Sequence, residues 1–153
     1  KPLDGGQHPG VLVLHSWWGQ TSFVRRFCDR LADAGYMALA PDLFDGALPD
    51  SPDRAEQLLA ELDGTRARHR VLEWATKLQS FSGGPIGIVG FSMGASFALL
   101  LAARLPEVVA ATVAFYGTQS VDFDDARSAF QGHFAEFDAL VSDDEVEIGR
   151  AHV

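Results

Sequence analysis

Cysteine, basic residues and long apolar runs are all scarce in this chain. A single cysteine, Cys28, excludes an internal disulfide framework. It falls on the apolar side of a predicted helix, so a buried thiol is expected. Lys and Arg together number 12 against 21 Asp and Glu, giving a net charge of −9. That balance argues against nucleic acid or an anionic membrane as a partner. No segment approaches the roughly 18 consecutive apolar residues of a membrane span, and no secretory signal is visible. A cytoplasmic location is the resulting expectation, although the chain opens on Lys1 rather than Met and leaves room for an upstream segment. No His, Asp or Glu pair has convincing metal-ligand spacing. The 153 residues, 47% of them hydrophobic, suit one domain with a sizeable core.

What is present is an alternation of short apolar runs with helical patterns. Val11-Leu12-Val13-Leu14 follows Pro9-Gly10 and reads as a buried strand. Phe23, Phe27 and Leu31 recur at four-residue spacing, which predicts a helix over 23–34 capped by Ser22 and ended by Gly35. Residues 36–40 form the next predicted strand. Ser51-Pro52-Asp53 is a helix start. That helix is expected to break near Asp63-Gly64 and to restart at Thr65, running to about Gln79. Strands are predicted from Ile86, over 108–115 and over 128–134. The pattern predicts an α/β layering around a mostly parallel sheet.

Gly90-Phe91-Ser92-Met93-Gly94 is the motif with the most chemistry in it. It reads G-x-S-x-G between an apolar strand and an Ala- and Leu-rich helix, the setting in which a serine is held at a strained turn with its Oγ exposed at the top of a sheet. The plainer alternative is a glycine-rich turn with a capping serine. A serine nucleophile needs a base and a group to orient that base. In this type of hydrolase the acid follows the serine, in a loop after a later strand. Asp138, at the end of Gly132-His133-Phe134-Ala135-Glu136-Phe137-Asp138, fits by position; the alternative is a solvated loop acid. Two backbone N–H groups should form the oxyanion hole: Met93, directly after the serine, and Trp17, in the loop after the first strand. Trp18 beside it is either a wall of a substrate pocket or a residue packed on the core. His15, at the start of that loop, is a candidate substrate contact or a loop anchor.

Together these pieces resemble the dienelactone hydrolase family. Val11 to Gly19, Ala40-Pro41-Asp42-Leu43-Phe44, Gly87 to Gly94, Phe115-Tyr116-Gly117 and Gly132 to Asp138 carry the resemblance, in order, across about residues 9–146. It implies an α/β-hydrolase fold and a cysteine- or serine-centred triad that hydrolyses small esters or lactones without a cofactor. Three departures are visible. Serine, at Ser92, replaces the cysteine of the family's namesake enzymes; Ser16 stands where they hold a gating glutamate; and Ala95 replaces a further glycine. The resemblance places the catalytic histidine well beyond the acid, yet only His152 follows Asp138, with no strand to place it. The ending Glu147-Ile148-Gly149-Arg150-Ala151-His152-Val153 matches a translated sequencing adapter (GAG ATC GGA AGA GCA CAC GTC, then TGA). This predicts a non-native tail over 147–153 on an environmental open reading frame cut near Val146, lacking the last strand, last helix and histidine. Two functional expectations follow: a serine hydrolase of small carboxylic esters or lactones, or a catalytically silent fragment or binding module on the same scaffold. Self-association through the truncated sheet edge is a further expectation.

Overall fold

Valine- and isoleucine-rich runs that are buried on both faces become the central strands of a parallel sheet. The computed structural model describes residues 6–136. Within them the chain runs β1 (Gly10–Leu14), α1 (Ser22–Asp33), β2 (Met37–Leu39), α2 (Pro52–Glu61), α3 (Gly64–Ser82), β3 (Ile86–Phe91), α4 (Met93–Arg104), β4 (Val109–Phe115) and β5 (Ala129–His133). The five strands are ordered β2-β1-β3-β4-β5, and every pairing is parallel. The α/β expectation therefore holds. No helix among the described residues is long and apolar enough to cross a membrane.

The period-2 alternation of β1 divides the core. Leu12 and Leu14 pack with Val71 and Leu78 of α3 and Leu101 of α4, while Val11 and Val13 pack with Val24 of α1. So α1 covers one face of the sheet and α3 and α4 cover the other. Cys28 is half-buried on the α1 face, and burial, followed by the neighbouring Asp29, pushes its thiol pKa up. The thiol therefore stays protonated at neutral pH, as a core residue does.

Helix ends follow side-chain chemistry, with two differences from the sequence expectation. The α1 cap falls on Thr21, one residue before Ser22, and its side chain makes no cap hydrogen bond. α3 runs to Ser82 rather than stopping at Gln79. Its start is as expected at the Asp63-Gly64 break: the Asp63 carboxylate accepts from Thr65 N–H at 2.9 Å and from Arg66 N–H at 3.1 Å. Ser51 caps α2 by accepting from Arg54 N–H at 3.3 Å, with Pro52 in the first helical turn.

Candidate active site

β3 ends at Phe91, α4 begins at Met93, and Ser92 is the whole of the turn between them. Ser92 has φ 53° and ψ −118°, a conformation side chains rarely adopt. Strain of this kind amounts to about 1–3 kcal/mol and persists only where the surroundings fix it. Here they do. Ser92 N–H donates to Phe115 O at 2.9 Å, and Ser92 O accepts from Ala95 N–H at 2.8 Å and Ser96 N–H at 3.2 Å. The two glycines of the motif are steric necessities. A Cβ at Gly90 would lie 2.3 Å from Gly94 O, and one at Gly94 would lie 2.2 Å from Leu14 O and 2.7 Å from His15 O. The second approach brings the end of β1, and with it the turn bearing Trp17, against the start of α4.

Met93 N–H is the first amide of α4, one of the four at a helix start that lack an intrahelical acceptor. Trp17 lies inside a turn closed by Gly19 N–H donating to Ser16 O at 3.0 Å. Trp18 is 37% exposed and meets Trp17 edge-on, with ring centroids 5.8 Å apart.

His15 is fully buried, and both of its ring nitrogens are committed to backbone. Nε2 accepts from Leu43 N–H at 3.0 Å, so the proton resides on Nδ1, which donates to Ser16 O at 2.7 Å. Burial lowers its pKa, outweighing the opposing pull of the Ser16 hydrogen bond and of Asp42, whose Oδ1 lies 3.8 Å from Nε2. His15 is thus a neutral pin joining the loop after β1 to the loop after β2. Asp42 orders that second loop by accepting from Phe44 N–H and Gly46 N–H at 2.9 and 2.7 Å, and Arg70 clamps it by donating to Asp42 O at 2.8 Å. Of the two roles open to His15, this geometry is that of the loop anchor; its ring presents no free nitrogen to a bound ester.

Ser92 opens into a cavity of about 570 Å³, but its walls differ from those the sequence suggested. Neither Trp17 nor Trp18 lines it. Its aromatic walls are Phe115, Tyr116, His133 and Phe134, from the ends of β4 and β5. The Phe115-Tyr116-Gly117 stretch was the available signal for part of this wall; what hid the rest is that β5 joins β4 only through the sheet. Phe91 pairs with Phe115, and Phe115 with His133, in register across three strands. Their rings form a ladder at the carboxyl edge of the sheet, with centroids 5.0 Å and 4.5 Å apart. Asp138 and His152 lie outside the described residues, as does the 147–153 segment. Among the described residues Ser92 Oγ has no hydrogen-bonding partner.

A parallel sheet with helices on both faces and a serine held at positive φ between strand and helix defines an α/β-hydrolase fold. The family model of the dienelactone hydrolase family matches residues 1–151, and the chain belongs to that family. It is 35% identical over 150 residues to an Aquifex aeolicus protein named "Putative carboxymethylenebutenolidase", covering 90% of this chain and 65% of the relative. Protein usf of Aquifex pyrophilus is 32% identical over 157 residues, covering 95% and 67%. The crystal structure of a "Putative Dienelactone Hydrolase" from Klebsiella pneumoniae subsp. pneumoniae superposes with a TM-score of 0.80 at 25% identity, covering 97% of this chain and 69% of that one. The chain therefore spans about two thirds of the length of these relatives.

Proposed function

We propose that this chain carries the nucleophile and oxyanion-binding machinery of a serine hydrolase acting on small carboxylic esters or lactones. The observation that carries the reading is Ser92 itself, held at φ 53° where a strand meets a helix and opening into a cavity. Lactones are in scope because the Aquifex aeolicus relative is named for a butenolide. Ser92 Oγ attacks the carbonyl carbon as its proton passes to a base. The carbonyl oxygen, now anionic, is held by Met93 N–H and Trp17 N–H, aided by the positive end of the α4 dipole. Collapse of the intermediate expels the alcohol, which takes the proton, and leaves an acyl-enzyme on Ser92. Water then repeats the sequence and releases the acid. Asp138, after β5, is the proposed orienting acid for a histidine base.

The second reading is a catalytically silent scaffold, for want of a histidine base among the described residues at Ser92 Oγ. Hydrolysis of p-nitrophenyl acetate by the chain and by Ser92→Ala separates the two. A nucleophilic Ser92 predicts a fall in kcat/KM of at least about a hundredfold in the variant. Equal rates in the two proteins would leave only the silent scaffold.

A further inference from the structure

The turn that bears Trp17 leans on a second loop, residues 40–48 after β2. Three contacts join the two. Leu43 N–H donates to His15 Nε2 at 3.0 Å. Gln20 Nε2 donates to Ala40 O at 2.6 Å. Gly19 approaches Ala47 so closely that a Cβ there would lie 2.9 Å from the Ala47 carbonyl oxygen. Gly19 also closes the Trp17 turn, through its N–H to Ser16 O. The Trp17 amide therefore sits in a turn flanked by His15 and Gly19, and both flanks rest on the loop after β2. That loop bends sharply. Asp45 takes φ 51° at the bend, and Ala47 N–H donates back to Phe44 O at 3.0 Å. A left-handed residue other than glycine persists where its surroundings hold it. Arg70 reaches the bend from α3 and holds it from outside. A single nitrogen, Nη1, donates to Asp42 O and to Asp45 Oδ1, each at 2.8 Å.

We propose that Arg70 is a positioning residue for the oxyanion-binding loop: by fixing the loop after β2 it fixes the place of the Trp17 amide. The proposal rests on the serine-hydrolase reading for what that amide does, while the link from Arg70 to the turn stands on the contacts alone. The Asp45 side chain is 65% exposed and that of Arg70 23%, so solvent screens their ion pair and it adds little to global stability. What the two bonds supply is position. An oxyanion donor works only where it meets the developing charge at about 3 Å, and a displacement of about 1 Å is enough to cost rate. A clamp that contributes little to folding can therefore matter to the reaction.

The test compares Arg70→Met, which keeps the apolar stem and removes both bonds, with Arg70→Lys, whose single nitrogen can make both. Arg66→Met is the control for lost charge, since Arg66 also lies beside Asp45, 4.0 Å from its Oδ2. Two readouts are taken on each protein. Amide hydrogen exchange needs no chemistry. In Arg70→Met, exchange at Gly19 is expected to quicken about tenfold while the β3 amides keep their rates. The second readout is phosphonylation of Ser92 by a fluorophosphonate, whose phosphoryl oxygen would take the place of the oxyanion. Its maximal rate is expected to fall about tenfold in Arg70→Met with the half-saturating concentration unchanged. Arg70→Lys should restore most of both, and Arg66→Met should match the unsubstituted chain. Asp45→Asn weakens the same clamp and tolerates positive φ, and it is the second variant should Arg70→Met fail to fold. Unchanged Gly19 exchange, a quickening shared by β3, an equal effect of Arg66→Met, or faster Gly19 exchange with an unaltered labelling rate overturns the proposal. Absence of label on every protein, the unsubstituted chain included, removes the hydrolase reading instead, and Gly19 exchange alone then decides whether Arg70 holds the loop.

Discussion

Gly94 and His15 lie where the start of α4 meets the end of β1, and each can be tested alone. Gly94 permits the contact between α4 and the end of β1, where even a methyl group would overlap the Leu14 carbonyl at 2.2 Å. Backbone cannot rotate away as a side chain can, so Gly94→Ala is expected to lose about 3 kcal/mol, read as a lower urea midpoint. His15 gives a pH dependence. Its pKa in the folded chain lies below the ordinary 6.5, so below pH 6.5 the unfolded chain takes up a proton that the folded chain refuses. Its stabilisation is complete above pH 6.5 and is lost as pH falls from there through the lower folded value. Urea midpoints measured across this window should fall with pH, and should fall less in His15→Asn. Identical slopes for the two proteins would remove the role of His15 as a neutral pin.

At the scale of elements, caps separate what the sequence shows from what it hides. Asp63 was legible because the break at Asp63-Gly64 is local, and its carboxylate meets two amides of the first turn of α3. Asp63→Ala should cost about 1 kcal/mol. Thr21 occupies the same position on α1 but makes no side-chain bond, so Thr21→Ala should leave the thermal midpoint nearly unchanged. The elbow was legible for the same reason, since strand, serine, glycines and helix lie within one continuous stretch. The aromatic ladder was not. Phe91, Phe115 and His133 meet only because three strands share a register, and register is a property of pairing rather than of any one strand. Trp17 and Trp18, in the proposed oxyanion loop, are not among the residues lining this cavity, and Trp18 is exposed.

For the whole molecule, sheet order decides where chemistry can occur. With β3 central and every strand parallel, the loops after β1, β3, β4 and β5 gather at one edge, the carboxyl end where ligands bind in open α/β sheets. The exposed strand edge and exposed helix rings matter for solubility. β5 ends the described sheet with four of its five residues exposed, and Phe23 and Phe81 are 50% and 60% exposed. A net charge of −9 sets repulsion between copies against association at neutral pH. As pH falls toward the isoelectric value near 4.8, light scattering should rise with protein concentration, and a flat signal would show that these surfaces do not associate. The central claim is that this architecture makes Ser92 a nucleophile, and covalent capture tests it most directly. The chain is treated with a fluorophosphonate, digested, and mapped by peptide mass. The account predicts one phosphonylated residue, Ser92, and no label in Ser92→Ala; label on another serine, or none on the folded chain, would contradict it.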